Sequence, residues 1–251
     1  MFKYFLKREL KESYLGNLTG LSWVIIQPIL TLLIYTFVFE KIFNSKFPEA
    51  ENVGFVVYLA MGLWPWIAFS DAIIKSITTV TDQKSFIGKI KINLTEPVFA
   101  IVTASFVLNV FGYIFVLCVL ILVGKNFNYG SIPLLILPLL QLYVLALAFG
   151  LFFSAIQVFI RDTVNLMGTL ITLWFFTTPI IYTESLIPES LRVYMYFNPI
   201  YVPIKFIHNA MITGNPLPWA EMGIVSIAIG LFFYLALKMF KKLEPSFEDY
   251  L

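Results

Sequence analysis

Six long uncharged stretches run through the chain, separated by segments that hold all of its charged residues. The stretches cover residues 21–39, 54–70, 98–124, 131–160, 163–183 and 222–237. Each is close to the roughly 20 residues that a helix needs to cross the hydrocarbon core of a bilayer. The pattern predicts an all-α integral membrane protein, with six transmembrane helices in a single domain over residues 1–251.

Six crossings place both termini on one side of the membrane, and basic residues are concentrated on that side. Of the 17 Lys and Arg residues, 12 lie there. Cytoplasmic loops carry an excess of Lys and Arg, so we expect both termini in the cytoplasm. The basic residues on this side are Lys3, Lys7, Arg8, Lys11, Lys75, Lys84, Lys89, Lys91, Arg161, Lys238, Lys241 and Lys242.

Composition narrows the classes of function. The chain is 59% hydrophobic and only 13% charged, too few charges to solvate the surface of a soluble enzyme. A net charge of +2 gives no reason to expect a nucleic-acid partner, and the single cysteine, Cys118, excludes an intrachain disulfide. We expect Cys118 to be a small packing residue.

Two absences argue against an energy source within the chain. No Asp, Glu, Lys, Arg or His falls in the six stretches, whereas ion-coupled carriers place such groups at membrane depth. The chain also lacks the G-x-x-x-x-G-K-[ST] motif that cradles ATP phosphates. If ATP drives this protein, a separate chain binds it.

The first 20 residues predict an amphipathic helix at the membrane interface. Apolar side chains recur every four residues beside a row of lysines. The alternative is a cluster of charges that only sets topology. The apolar row is Phe2, Leu6, Leu10 and Tyr14, and the basic row is Lys3, Lys7 and Lys11.

Two connecting segments are longer than simple loops require. Residues 75–97 form a basic segment that is either a docking element for a cytoplasmic partner or a solvated loop. Residues 184–219 are amphipathic and interrupted by five prolines, which predicts short re-entrant helices dipping into the outer leaflet beside a pathway. The alternative for this second segment is a chain lying flat at the interface.

Five short motifs follow one another along the chain in an order that can be compared with known families. In that order and spacing the whole chain resembles the type 2 permease family of ATP-binding-cassette exporters, nearest to the permeases that export O-antigen and other lipid-linked polysaccharides. The motifs are Trp23-Val-Ile-Ile-Gln27-Pro28, Gly62-Leu-Trp-Pro65-Trp66 with Phe69, Ile160-Arg161-Asp162, Thr178-Pro179-Ile180-Ile-Tyr182 and Asn198-Pro199-Ile200.

The resemblance implies a transport subunit rather than an enzyme, located in the inner membrane of a bacterium. It implies a homodimer with two copies of a cytoplasmic ATPase, which would hold ATP and Mg²⁺, so no cofactor is expected in this chain. The implied cargo is a polyprenyl-diphosphate-linked polysaccharide, and a coupling helix should fall within residues 76–91. Alternatives within the family are export of capsular polysaccharide, teichoic acid or a drug. Alternatives outside it are a membrane-embedded glycosyltransferase and an ion-coupled carrier.

Three sets of residues are candidates for function under this interpretation. Aromatic rings pack on the C–H faces of sugars, so aromatic residues are candidates to line a substrate pathway. The alternative is that they belong to the aromatic belt at the membrane interface. The predicted pathway residues are Trp64, Trp66, Phe69, Trp174, Phe175, Phe176, Tyr35 and Tyr182. Cations favour anionic headgroups, so Lys3, Lys7, Arg8 and Lys11 are the predicted headgroup-binding residues. The predicted ATPase contacts are Lys84, Ser85, Phe86, Lys89, Arg161 and Asp162. The alternative for Arg161 and Asp162 is a structural ion pair.

The remaining chemistry-bearing residues carry structural predictions. A catalytic triad or His-based metal site would have to use His208, the only histidine, which has no nearby partner in sequence. We therefore expect a structural role for His208 and no metal site. Asp71, Glu40 and Lys41 flank the stretches and are expected to mark membrane edges.

Overall fold

The computed structural model describes residues 1–15, 20–42, 53–84 and 93–250, and this part of the chain contains helices and no strand. The first six helices are α1 (Phe2–Leu15), α2 (Gly20–Thr36), α3 (Phe55–Ile77), α4 (Thr79–Asp82), α5 (Thr95–Leu122) and α6 (Ile136–Phe159). The last five are α7 (Thr163–Thr177), α8 (Glu189–Met195), α9 (Tyr201–His208), α10 (Trp219–Leu243) and α11 (Phe247–Tyr250). Short 3₁₀ or π turns extend α2, precede α6, follow α9 and lead into α11.

Four helical segments of the described chain are long and apolar enough to cross a membrane. They are Phe55–Ile77, Thr95–Leu122, Tyr129–Phe159 and Trp219–Tyr250. Two of the six predicted stretches instead contain shorter uncharged helices, α2 with 17 residues and α7 with 15. The predicted helical, multi-pass membrane architecture is confirmed at this level.

Helix α3 lies at the centre of the bundle. Its side chains are buried on most sides, including Tyr58, Trp64 and Phe69. Helices α5 and α6 pack along α3, and α10 packs along α6. In contrast, α10 leaves Ile224, Ile227 and other large apolar side chains exposed, as expected for a helix that faces hydrocarbon.

The bundle has two ends that differ in structure. We call the end that carries α1, α4 and α11 the terminal end, and the end that carries α8 and α9 the distal end. A second, smaller core at the terminal end holds α4 and α11 against the ends of α5, α6 and α10. Its buried residues are Val80, Leu94, Val98, Ala148, Leu151, Ala155, Val158, Ala236, Phe240 and Phe247.

Two helix ends differ from the sequence prediction. Helix α3 continues through Ile77 rather than ending at residue 70, so Asp71 and Lys75 lie in the last two turns of a helix that is long and apolar enough to cross a membrane. Helix α7 ends at Thr177, because Thr178 precedes Pro179 and takes the extended conformation that a following proline favours. Pro179 therefore follows the fifth apolar helix instead of lying within it.

Candidate functional site

An aromatic cluster fills the space between α3, α6 and α7. Trp66 contacts Phe69 and Phe175, with ring centroids 6.0 and 5.7 Å apart. Trp174 contacts Phe69 at 6.3 Å and Phe149 at 5.1 Å. These contacts bring together four residues that the sequence predicted for the pathway, on two helices about 100 residues apart.

Three more of the predicted pathway residues border this cluster. Phe176 contacts Phe175 at 5.3 Å, and Tyr35 contacts Phe175 at 6.5 Å. The Tyr182 hydroxyl donates to the Phe176 carbonyl at 2.8 Å, and burial raises the pKa of Tyr182. The eighth residue, Trp64, is only 1% exposed and lies in the core of the chain itself.

The cluster opens to the surface along one face of α7. Phe176 is 59% exposed, and Asn165, Thr169 and Thr172 are exposed on the same helix at a spacing of four, three and four residues. Such a polar stripe suits contact with protein or water better than contact with lipid tails. Sequence reasoning missed the three polar residues, although their helical spacing was a usable signal.

At the distal end, the buried His208 of α9 holds α9 against α3. Its ring stacks on Tyr58 at 4.0 Å, and its Nε2 lies 3.2 Å from the Tyr58 carbonyl oxygen. The Tyr58 hydroxyl in turn lies 3.2 Å from the Pro179 carbonyl and 3.0 Å from the Tyr182 carbonyl. Burial lowers the pKa of His208 to about 4, so this imidazole is neutral near pH 7.

A second distal contact joins α9 to the turn after α7. Lys205 Nζ lies 3.1 Å from Glu184 Oε1, and it approaches the rings of Tyr196 and Tyr201 at 5.9 and 5.4 Å. Burial is the main cause that raises the pKa of Tyr201 far above its usual range, with Glu184 adding to it. The segment 184–213 is thus a set of short helices fixed to the bundle.

Between the two ends, Asp71 of α3 is held by three donors. Asp71 Oδ2 accepts from Lys75 Nζ at 2.8 Å, Ser105 Oγ at 2.5 Å and Asn109 Nδ2 at 3.1 Å. A carboxylate inside a membrane span is costly unless it is paired and hydrogen-bonded. These donors explain why α3 continues past Asp71, and they tie α3 to α5.

Helix α1 is buried most deeply at Phe5, outside the predicted apolar row, of which Phe2, Leu6 and Leu10 are only partly buried. Phe5 is buried against the bundle, while Lys3, Lys7 and Lys11 are exposed. The Arg8 guanidinium lies 5.3 Å from the centre of the Phe5 ring. The amino group of Met1 lies 3.3 Å from Glu96 Oε2, at the start of α5. Three of the predicted headgroup-binding cations, Lys3, Lys7 and Lys11, therefore form an exposed row, whereas Arg8 is only partly exposed and packs over Phe5.

A polar cavity of about 470 Å³ lies at the terminal end. It contains two of the predicted ATPase contacts: Lys84 lies in the turn after α4, and Arg161 lies in the turn between α6 and α7. Among the described residues, no ion pair joins Arg161 to Asp162, and the Asp162 backbone carbonyl accepts from Leu166 at the start of α7. The other predicted contacts, Ser85, Phe86 and Lys89, lie outside the described residues. The remaining residues that line the cavity are Thr81, Asp82, Gln157, Val158 and Tyr250.

Comparison with known proteins decides the family. The family model described as "ABC-2 type transporter" matches residues 1–212. The chain belongs to the ABC-2 type transporter family. This family assignment accounts for the apolar multi-pass architecture and implies an ATP-binding partner that acts together with the membrane subunit.

Curated members of the ABC-2 family match the chain along nearly its whole length. The "O-antigen export system permease protein RfbA" of Myxococcus xanthus is 28% identical over 97% of this chain and 92% of its own length. A protein of the same name from Klebsiella pneumoniae is 27% identical with the same coverage. The "Polysialic acid transport protein KpsM" of Escherichia coli is 19% identical over 95% of this chain and 92% of its own length.

Proposed function

We propose that this chain is the membrane-spanning subunit of an ATP-driven exporter of polysaccharide, with a lipid-linked O-antigen as its cargo. The observation that carries the proposal is the 28% identity to an O-antigen export permease over almost the full length of both proteins. Export of a capsular polysaccharide is the second candidate, because the chain also aligns with a polysialic acid transport protein over 95% of its length.

The proposed arrangement is a homodimer in the bacterial inner membrane, with two copies of a cytoplasmic ATPase. Each subunit crosses six times, through α2, α3, α5, α6, α7 and α10, which places the terminal end in the cytoplasm. Helix α1 lies in the interfacial layer, where its exposed lysines can attract an anionic diphosphate headgroup. Helices α8 and α9 form a re-entrant element at the outer face, and ATP and Mg²⁺ are held by the partner.

The contacts of α3 support a mechanical route for coupling. Helix α4 follows α3 after one residue, and Val80 of α4 is anchored in the terminal core. At the other end, α3 holds α9 through Tyr58 and His208. A push on α4 by the closing ATPase therefore reaches the outer segment through one continuous, buried helix.

The polysaccharide moves, in this proposal, between two copies of the α7 face. The exposed Asn165, Thr169 and Thr172 provide polar contacts, and Phe176 provides an aromatic face for sugar rings. The buried members of the aromatic cluster, Trp66 and Phe69 among them, support this face from behind. We expect the cargo to slide along it without a covalent step.

The test is a chromosomal deletion of the gene for this chain, followed by analysis of surface polysaccharide. We expect loss of long-chain lipopolysaccharide from the surface and accumulation of lipid-linked polymer inside, both restored by the wild-type gene. Loss of capsule with normal lipopolysaccharide would favour the second candidate. Normal export of both polymers, or glycosyl transfer by the purified chain alone, would contradict the proposal.

A further inference from the structure

An apolar groove runs between α5 and α6 on the outside of the bundle. Both helices pack along α3, and a space of about 570 Å³ remains between them. The lining residues recur every three or four positions from Thr103 to Ile114 on α5 and from Ile136 to Tyr143 on α6, so the groove follows one face of each helix. Thr103 and Ile114 lie equally far from the two ends of α5, which places the groove in the middle of a candidate span.

The two hydroxyl groups of the groove are satisfied within the protein. The Thr103 hydroxyl donates to the Phe99 carbonyl at 2.6 Å and lies 2.8 Å from the Tyr143 hydroxyl. Tyr143 can therefore donate to Thr103, and both hydroxyl protons have an acceptor. The other lining side chains are apolar. A matching ligand is a hydrocarbon chain, since a polar group buried at this depth without a partner is costly.

The rim of the groove favours a lipid chain over a second protein helix. Phe111 is 63% exposed and Ile136 is 68% exposed, and among the described residues the lining contains no Gly, Ala or Ser. Helices in membranes approach one another through such small residues, so this bulky rim would hold a second helix at a distance. A flexible chain can instead lie between the rim side chains and contact the partly buried Val110 and Leu139.

A cation lies beyond the distal end of the groove. Lys125 follows the end of α5, where its backbone amide donates to the Leu120 carbonyl at 3.0 Å. Its side chain is partly exposed and makes no ion pair with any described residue, whereas Lys205 at the same end is paired. The exposed side chains of Ile121 and Leu122 make the surface between the groove and Lys125 apolar. A hydrocarbon groove that leads to an unpaired cation suits a lipid with a phosphate headgroup.

The distance from Lys125 to the far end of the groove favours a long chain. Thr103 lies about 28 Å along α5 from Leu122, because a helix rises about 1.5 Å per residue. A phospholipid acyl chain reaches only about 15 Å, half of a hydrocarbon core that is about 30 Å thick. A lipid that fills the groove with its phosphate beside Lys125 therefore has a chain longer than one leaflet is deep. Long-chain polyprenyl phosphates combine such a chain with an anionic headgroup.

We infer that the groove between α5 and α6 binds a polyprenyl chain, with its phosphate beside Lys125 at the outer face. The inference rests on the proposed function, because it takes the distal end as the outer face and a lipid-linked polysaccharide as the cargo. The lining residues belong to α5 and α6, so the site is separate from the α7 face along which the polysaccharide is proposed to move. It holds the carrier lipid at the side of the bundle while the polymer leaves.

Lipid binding to the full chain in phosphatidylcholine nanodiscs tests the chemistry of the ligand. A fluorophore on Cys118, the only cysteine of the chain, reports binding, because Cys118 is exposed on α5 one turn beyond Ile114. The probes are a long-chain polyprenyl phosphate, farnesyl phosphate as its short-chain counterpart, and phosphatidylglycerol. We expect the long-chain probe to bind about tenfold more tightly than the other two. Equal affinities for the long-chain probe and phosphatidylglycerol would overturn the assignment.

Two substitutions test the two parts of the site. Val107→Trp fills the groove from its exposed rim, and Ile227→Trp adds the same side chain to the exposed face of α10 as a control. Lys125→Gln removes the cation, and Lys241→Gln removes an exposed cation at the terminal end as a control. We expect binding about tenfold weaker for Val107→Trp and about fivefold weaker for Lys125→Gln, with both controls unchanged.

The two substitutions are interpreted separately. Wild-type affinity of Val107→Trp would overturn the groove as the site of the chain, and wild-type affinity of Lys125→Gln would overturn the position of the phosphate. Both residues lie at the surface, so neither change disturbs the core, and thermal unfolding in detergent checks that each variant is folded.

Export measurements separate the inference from the proposed function. Weaker lipid binding by Val107→Trp together with reduced export of polysaccharide supports both. Loss of export on deletion of the gene, with a wild-type chain that does not bind the polyprenyl phosphate, overturns the site and leaves the proposed function in place. Binding of the polyprenyl phosphate by the wild-type chain, with normal export after deletion of the gene, overturns the proposed function and leaves the lipid site.

Discussion

Gly62 provides the most direct test of how the distal segment is held. It lies in α3 beneath the imidazole of His208, with no side chain between them. A Cβ added at Gly62 would lie 3.1 Å from His208 Nε2 and 3.2 Å from His208 Cε1. The imidazole is itself stacked on Tyr58 at 4.0 Å and buried, so it has little room to move away. Gly62→Ala should therefore separate α9 from α3.

The expected cost follows from these distances. Inserting a methyl group into a packed site costs about 1–3 kcal/mol. Alanine also gains up to about 1 kcal/mol over glycine in a helix. Gly230→Ala in α10 isolates that second effect, because a Cβ at Gly230 meets nothing within 4 Å. We expect Gly62→Ala to be less stable than Gly230→Ala by about 1–3 kcal/mol.

The assay is unfolding in detergent micelles, followed by tryptophan fluorescence, for the two single variants and for Gly62→Ala combined with His208→Ala. Removing the imidazole makes room for the methyl group, so the double variant should lose less than the sum of the single losses. Equal stabilities for Gly62→Ala and Gly230→Ala, or strictly additive losses, would refute the proposed packing of His208 against α3.

Four further predictions concern other contacts of the bundle. The pKa of His208 is about 4 in the folded chain and near 6.5 in the unfolded chain, so the unfolded state binds more protons between these pH values. The free energy of unfolding should therefore fall by roughly 3 kcal/mol as the pH drops from about 6.5 to 4. A His208→Gln variant should lack this dependence. Asp71→Asn removes the charge that pairs with its lysine partner inside the candidate span; we expect a loss of about 1–3 kcal/mol, and an unchanged unfolding midpoint would contradict it. Glu244→Ala removes the acceptor for the backbone amide at the start of α5, which should cost about 1 kcal/mol and speed hydrogen exchange there, while Glu244→Gln should keep most of the protection. Trp66→Ala should reduce export without preventing assembly with the ATPase, and normal export would remove this residue from the pathway.

The helical framework could be predicted because it depends on local pattern alone. Every one of the six uncharged stretches contains an apolar helix, and the lysine row predicted for α1 is exposed, although the buried residue of that helix is Phe5 rather than a member of the predicted apolar row. The end of α7 was predicted too late in the chain, although the rule for residues preceding proline indicated it at Thr178. The length of an uncharged stretch predicts which segment can cross the membrane, but it does not predict well the residue at which the helix ends.

The contacts that hold the helices together could not be predicted from a single sequence. Asp71 finds Ser105 and Asn109, more than 30 residues away, and nothing local marks these as partners. These donors let α3 continue past an ionisable residue, which the uncharged stretch ending at residue 70 did not indicate. Tyr250 presents the same difficulty, because the ring against which it packs, Phe159 at the end of α6, lies far away in the sequence.

Helix α3 connects the contacts at the two ends of the bundle, because α4, α5 and α9 are all attached to it. Its terminal end leads into α4, its last turns are tied to α5 by Asp71, and its distal end is fixed to α9 by Tyr58. A close-packed helix transmits a displacement because its interior contacts have almost no free volume to absorb it. If α3 moves as one body, a substitution at Asp71 and one at Gly62 should both uncouple ATP hydrolysis from export, although the two sites lie on different turns and share no contact among the described residues. Uncoupling by only one of them would show that the helix divides into two independent parts.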